Sequence, residues 1–228
     1  MEKALLRKVP LFGDLAEDEI QSLVDVTSTR RYPKNALILM ADEEGDTMFV
    51  ISHGRVKVAL LAEDGGEVIL SLLGPGQFFG EMSLLDGKPR SATVIATEDS
   101  EVIMLRRGDF LRALQRIPRI APKLLASLTG RLRRADQQIE NLALRNVAGR
   151  VAATVVQLAE EQGTETDEGI AIPARPTHQD LANMAGTTRE TVSRVLKRFE
   201  KDNYILNRGR DLILLKGRDL REDFLSGS

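Results

Sequence analysis

Between Phe79 and Val94 the sequence concentrates groups that can hold a small anion. It has a glycine at position 80, the carboxylate of Glu81, then Met82 and Ser83, and after a Gly-Lys-Pro turn the pair Arg90-Ser91. Gly80 can take φ > 0 or let a ligand approach the backbone closely. An ionised Glu81 only accepts hydrogen bonds, whereas Arg90 carries five donors and a permanent positive charge. Ser91 adds a hydroxyl and a backbone N–H. Such a set suits a ligand with one anionic phosphate beside a sugar hydroxyl. Arg90 and backbone N–H groups would hold the phosphate, and Glu81 would accept from the hydroxyl.

A second concentration is Thr188-Arg-Glu-Thr-Val-Ser-Arg194. Arg189 and Arg194 can each donate bidentately to a guanine edge, and Glu190 can accept from the cytosine amine. An exposed glutamate among phosphates is otherwise repulsive, which favours a base-reading role for it. Across 175–210 eight basic residues face four acidic ones, although the whole chain carries −2. A local basic face of this kind suits nucleic-acid phosphates. Arg198 and Arg208 extend it. His178 at a helix start can donate to a phosphate or be a plain surface histidine. For Lys197 and Lys201 a solvated helix face is the alternative to phosphate contact.

The bulk numbers restrict what else the chain can be. At 228 residues, 42% hydrophobic and 29% charged, it has room for one large domain or two modest ones. No cysteine is present, which excludes disulfides, cysteine-ligated clusters and thiol redox sensing. Two isolated histidines, His53 and His178, do not make a haem or metal site. Glu81 and Asp86 lack the nucleophile, metal set or triad that an enzyme would need. No apolar run reaches transmembrane length and the N-terminus lacks a signal-peptide core, so the expected setting is the cytoplasm, with no membrane partner.

The elements that position these groups follow from the apolar pattern. Residues 1–28 read as helical, with Asp14 as N-cap. Short β-type runs follow at 36–40, 48–51, 55–61, 67–73, 92–96 and 101–105, most of them separated by glycine turns. That spacing predicts an antiparallel sandwich or barrel. Asp64-Gly65-Gly66 is a hairpin turn, and Gly45, Gly54, Gly74 and Gly76 read as structural turn glycines. After Pro118 and Pro122 comes a long helix. Its residues Leu125, Leu128, Leu132, Ala135, Ile139 and Leu142 alternate steps of three and four, the seam of a two-stranded coiled coil. A homodimer through 118–146 is therefore expected, with an amphipathic helix packed on its own barrel as the alternative, and the same helix can carry information between domains. A helix from Arg150 to Gln162, a loop at 163–169 and a strand at 170–172 come next. Thr177 then caps one helix, Gly186 makes the turn, and Thr187 or Thr188 caps a second helix carrying Val192, Val195, Leu196 and Phe199: a helix-turn-helix. The runs 204–206 and 211–215 read as a hairpin, completing a winged helix. The tail from Lys216 is charged and reads as frayed.

Phe79-Gly-Glu-Met-Ser-Leu-Leu with Pro89-Arg-Ser-Ala-Thr-Val94 resembles the phosphate-binding cassette of cyclic-nucleotide-binding domains. Thr188–Arg194 resembles the recognition helix of the bacterial catabolite-activator (CRP/FNR) regulators. Both occur in that family's order and spacing, and the likeness covers nearly the whole chain. It implies an α+β protein. Residues 1–117 would be a β jelly roll (double-stranded β-helix), 118–146 the dimerisation helix and 147–228 a winged helix-turn-helix. The ligand would be held by Gly80, Glu81, Met82, Ser83, Arg90 and Ser91, and double-stranded DNA by Thr177, His178, Thr188, Arg189, Glu190, Thr191, Arg194, Arg198 and Arg208. The N-terminal residues of the recognition helix would face the bases of a palindromic TGTGA-like site. RNA polymerase is the further partner the family implies. A cyclic-nucleotide subunit controlling a kinase or channel would lack the Arg189–Arg194 reading helix.

The effector stays open at this level. Cyclic-AMP regulators place a threonine–serine pair on the long helix for the adenine amine, and this chain has Ala135-Asp136 instead. Asp136 can accept from that amine, but a carboxylate fits the donor edge of guanine at least as well. Cyclic AMP, a guanine nucleotide (cyclic GMP or cyclic di-GMP) and no effector at all are the three readings. A solvated charge or interhelical ion pair is the alternative for Asp136.

Overall fold

The computed structural model describes residues 2–215 and 220–225. Two short helices, α1 (Glu2–Leu6) and α2 (Glu17–Val24), precede strands β1 (Thr27–Tyr32), β2 (Leu37–Leu39), β3 (Thr47–His53), β4 (Val56–Leu61), β5 (Glu67–Leu73) and β6 (Phe78–Phe79). Helix α3 (Glu81–Asp86) interrupts the strand series before β7 (Thr93–Ala96) and β8 (Ser100–Arg106). Helices α4 (Arg107–Arg116) and α5 (Ile120–Leu144) then follow. Beyond them lie α6 (Val147–Gln162), β9 (Thr164–Glu165), β10 (Gly169–Ile172), α7 (His178–Ala185), α8 (Arg189–Lys201), β11 (Ile205–Arg208), β12 (Asp211–Leu215) and α9 (Leu220–Leu225). The chain divides into two compact units, Met1–Leu132 and Arg133–Ser228, with the boundary inside α5.

The first unit is a β jelly roll of two four-stranded antiparallel sheets, ordered β1-β8-β3-β6 and β2-β7-β4-β5. Period-two alternation sorts its side chains. On β3, Phe49 and Ile51 enter the cluster between the sheets with Val56, Val94 and Val102. Met48 and Val50 point the other way, into a second cluster with Phe12, Ile20, Phe110 and Ile120 from the surrounding helices. On β8, Val102 and Ile103 divide in the same manner. Each buried large side chain contributes about 1.5–3 kcal/mol, so the middle of β3 and β8 is tied down on both faces.

The N-terminus is not one helical stretch, because α1 and α2 are separated by turns and β1 begins at Thr27. Asp14 is not the N-cap of α2. That position falls at Ala16, whose N–H donates to Glu19 at 2.7 Å, while the Asp14 carboxylate accepts from Lys123. Strand β6 and helix α4 are additional elements, and β9 lies in a stretch expected as loop. The tail is not wholly irregular, since 220–225 form α9; residues 216–219 and 226–228 lie outside the described residues.

Helix α5 runs for 25 residues, about 37 Å at a rise of 1.5 Å per residue. Leu124 is buried and Leu128 partly buried against the helical cluster of the first unit. Leu125, Leu132, Ile139 and Leu142 are 53–65% exposed.

In the second unit, Asn146 caps α6 by accepting from the Gly149 N–H at 2.9 Å. The residues of α6 at helical spacing, Val151, Val155 and Leu158, are fully buried. The sheet runs β11-β12-β10-β9. Strands β11 and β12 pair from Ile205↔Leu214 to Arg208↔Asp211, and the tight turn between them is made by Gly209 at φ 58°.

Candidate functional site

In the first unit, strand β6 delivers Gly80 in the left-handed conformation, φ 79°, before α3 begins. A Cβ there would come within 2.9 Å of an Arg90 nitrogen and 3.1 Å of the Thr47 carbonyl oxygen, so the position requires glycine on both conformational and spatial grounds. Arg90 is only 5% exposed. Its Nη1 donates to the Gly80 carbonyl and its Nη2 to the Thr47 carbonyl, each at 2.8 Å. Its Nε is buried and, among the described residues, has no hydrogen-bond partner. The backbone of Arg90 is pinned as well: its N–H donates to Glu43 O at 2.8 Å and its carbonyl accepts from the Asp42 N–H at 2.9 Å.

Gly45 closes the other side. A Cβ at position 45 would sit 2.1 Å from Arg90 Nε. Read from sequence as a plain turn glycine, it is instead a wall of the guanidinium slot. Burial pushes the Arg90 pKa below the ordinary guanidinium value, while the carboxylates of Asp46 and Glu81 oppose that shift. A guanidinium so enclosed, with a donor to spare, is suited to an anionic oxygen.

Glu81, the first residue of α3, is 1% exposed. Its Oε1 accepts from Arg131 Nη1 at 2.9 Å. Arg131 also donates to the Phe78 carbonyl and lies over the Phe78 ring, 4.8 Å from its centroid. Arg131 was not singled out from the sequence for this role. The available signal was spacing, because Leu124, Leu128 and Arg131 form one stripe at steps of four and three. Ser83 is buried within α3, while Ser91 is exposed and its hydroxyl donates to Met82 sulfur at 3.4 Å. The structure thus brings Gly80, Glu81 and Arg90 together and adds Gly45 and Arg131. Ala135 and Asp136 are exposed on the part of α5 that belongs to the second unit.

In the second unit, α7 and α8 are set by their caps. Thr177 accepts from the Asp180 N–H at 3.0 Å and donates to its carboxylate at 2.6 Å, so its hydroxyl is engaged as a cap. Gly186 closes α7 at φ 61°, and Thr188 caps α8 by accepting from the Thr191 N–H at 3.3 Å. Val192, Leu196 and Phe199 are buried. The opposite face presents Arg189, Glu190, Ser193, Arg194 and Lys197 around an open cleft of about 390 Å³. Ser193 was not singled out from the sequence, and Lys197 joins the cleft as a further cation.

The remaining DNA candidates do not line that cleft. His178 is held below the ordinary imidazole pKa by burial and then by the charges of Arg175, Arg189 and Lys197, so it sits in a field of cations. Arg208 pairs with both carboxylate oxygens of Glu168 at 2.7 Å. Arg198 lies 3.6 Å from the Asp202 carboxylate and over the Phe224 ring. Among the described residues no group of metal-ligating side chains occurs and no helix is long and apolar enough to cross a membrane.

Comparison with known proteins finds a family for the greater part of each unit. Residues 29–117 match the cyclic nucleotide-binding domain family and residues 149–222 the Crp-like helix-turn-helix domain family. The chain is 36% identical over 196 residues to a Thermus thermophilus protein named cyclic AMP receptor protein, covering 86% of this chain and 88% of that one. It is 35% identical over 190 residues to the cAMP-activated global transcriptional regulator CRP of Haemophilus influenzae, covering 82% and 84%. The crystal structure of the Thermus thermophilus catabolite activator protein aligns with a TM-score of 0.54 at 35% identity, covering 93% of this chain and 97% of that one. These relatives are named as a receptor protein, a transcriptional regulator and an activator protein.

Proposed function

Because the chain belongs to the CRP/FNR family of DNA-binding transcription regulators, we propose that it is a homodimeric regulator whose DNA affinity is set by a cyclic nucleotide, with cyclic AMP as effector. The observation that carries this reading is the Arg90 slot: a buried guanidinium with an unpartnered Nε, walled by Gly45 and Gly80 and beside the carboxylate of Glu81. The cyclic phosphate pairs with Arg90, and the sugar hydroxyl donates to Glu81. Two relatives whose names specify cyclic AMP support the choice of base.

Binding is coupled to the long helix through Arg131. The carboxylate of Glu81 is shared between the incoming hydroxyl and the Arg131 guanidinium, and Arg131 sits on the helix that bears the exposed leucines. Those residues, Leu125, Leu132, Ile139 and Leu142, pair with their counterparts in a second subunit. The two α8 helices then meet the half-sites of a palindromic TGTGA-like operator, with Arg189, Glu190 and Arg194 at base edges. The setting is the cytoplasm and the downstream partner is RNA polymerase.

Calorimetric titration with cyclic AMP, cyclic GMP and cyclic di-GMP, with Arg90→Ala as control, tests the effector. Cyclic AMP binding that disappears in the variant supports the proposal. Preference for a guanine nucleotide would transfer the base contact to Asp136 and overturn cyclic AMP. No binding by protein that still shifts DNA would leave a regulator without this class of effector.

A further inference from the structure

The C-terminal helix α9 belongs to neither the ligand slot nor the reading face, yet it is fastened to α6, to α8 and to the residues Arg145 and Tyr204 of the second unit. Leu220 is buried. Arg221 pairs with Glu160 of α6. The hydroxyl of Tyr204, which precedes β11, donates to the Asp223 carboxylate. Arg145, just beyond α5, donates to the Leu225 carbonyl at 2.8 Å. Phe224 packs edge-on against Phe199 of α8 at 4.9 Å between centroids and against Tyr204 at 5.8 Å. The outer side of the same ring carries the guanidinium of Arg198, 5.6 Å from the centroid.

We propose that Phe224 is a positioning residue for DNA binding, holding Arg198 as a phosphate-contacting group at the flank of the α8 reading face. Arg198 follows Arg189 by nine residues, about 14 Å along the axis at 1.5 Å per residue. That places it in the last turn of α8, away from the N-terminal residues that would read bases, where phosphates replace base edges as partners. The Arg198 side chain stays 65% exposed although two groups restrain it: the Asp202 carboxylate at 3.6 Å and the Phe224 ring face. A guanidinium held over an aromatic face by cation–π attraction can still offer N–H donors to a phosphate. Ordering it before DNA arrives removes side-chain entropy that binding would otherwise cost. Asp202 is a weak competitor at that distance, and a phosphate can displace it.

This inference rests on the reading of the outer face of α8 as the DNA surface. The probe is a duplex selected from a random-sequence pool by the wild-type protein, followed by fluorescence anisotropy over a range of salt concentrations. Arg198→Ala is expected to weaken binding about threefold to tenfold and to lower the salt slope by roughly 0.9 per subunit, the value for one phosphate contact. Phe224→Leu, which keeps an apolar filler but no ring, is expected to reproduce most of both changes. Phe224→Tyr, which keeps the ring, should bind as the wild type does. The double variant Arg198→Ala/Phe224→Leu should be no weaker than Arg198→Ala alone. Near-UV and far-UV circular dichroism establishes that each variant is folded; if Phe224→Leu is not, Phe224→Tyr and Phe224→Trp against Arg198→Ala carry the comparison. An unchanged salt slope in Arg198→Ala, or additive losses in the double variant, would overturn the proposal and leave Arg198 as a staple for α9. Arg194→Ala separates the two levels: if it too leaves binding unchanged, the reading of α8 has failed, not the role of Phe224.

Discussion

Under the proposed function the Arg90 slot and the outer face of α8 would both use arginine to meet phosphate, and the two regions are built in opposite ways. Arg90 is buried, held by two carbonyls at 2.8 Å and walled by two glycines. It is preorganised, and its surroundings screen it little. Arg189, Arg194 and Lys197 line an open cleft on a helix surface, where water and salt screen each charge. A buried site concentrates its recognition in one group, so single changes there act sharply. An exposed face distributes its affinity, so single changes act modestly and nearly additively.

The largest effect is therefore expected at Arg90. Arg90→Ala should weaken nucleotide binding by about 2–5 kcal/mol, the range for truncating one partner of a buried charged pair. Calorimetry checks this, and near-normal affinity would erase the contrast between the two regions. Gly45→Ala sharpens it, since the new methyl would lie 2.1 Å from Arg90 Nε and the guanidinium is held by the Gly80 and Thr47 carbonyls. Overpacking of this kind costs about 1–3 kcal/mol; it should appear as weaker nucleotide binding while binding to non-specific DNA stays the same.

On the exposed face the losses should be smaller and differ in kind. Arg189→Ala should cost about 1–3 kcal/mol and relax the preference at one base pair of each half-site, read by competition with single-base operator variants. Lys197→Ala should weaken all sequences alike and lower the salt slope by roughly 0.9 per subunit. A sequence-selective loss at Lys197 would turn a phosphate contact into a base contact.

The smallest effect is a pH dependence at His178. Burial, then Arg175, Arg189 and Lys197, hold its pKa below the ordinary value of 6.5. In the free protein a depressed imidazole contributes stability above the unfolded-state value that is lost as pH falls through the folded one. A DNA phosphate beside it would offset the neighbouring charges and raise that pKa. DNA affinity should then rise as pH falls below neutrality, with uptake of protons, and His178→Gln should flatten the profile. A profile that is the same in wild type and variant would remove His178 from the DNA surface.

What was legible in the sequence was local. Gly80, Glu81 and Arg90 stand within eleven positions of one another, so their chemistry could be read together. Thr177, Gly186 and Thr188 carry cap and turn preferences that act within a few residues, and the structure has them as caps and turn. The split of the N-terminal stretch into two helices and a strand was not legible. In β1 four successive residues, Ser28 to Arg31, are exposed, so no alternation marks it; its pairing with β8 defines it.

By itself the sequence determined most of the strand runs, the helix-turn-helix with its caps, and the two clusters of residues able to meet phosphate and bases. These depend on side-chain type and on spacing within one turn or one strand, which the chain carries wherever it lies. Only the tertiary structure decided that Gly45 walls Arg90, that Arg131 of α5 reaches Glu81 of α3, and that Phe224 lies under Arg198. Each joins residues at least 26 positions apart, and at such separations contact is set by how sheets and helices pack, a property of the whole core that no local pattern records.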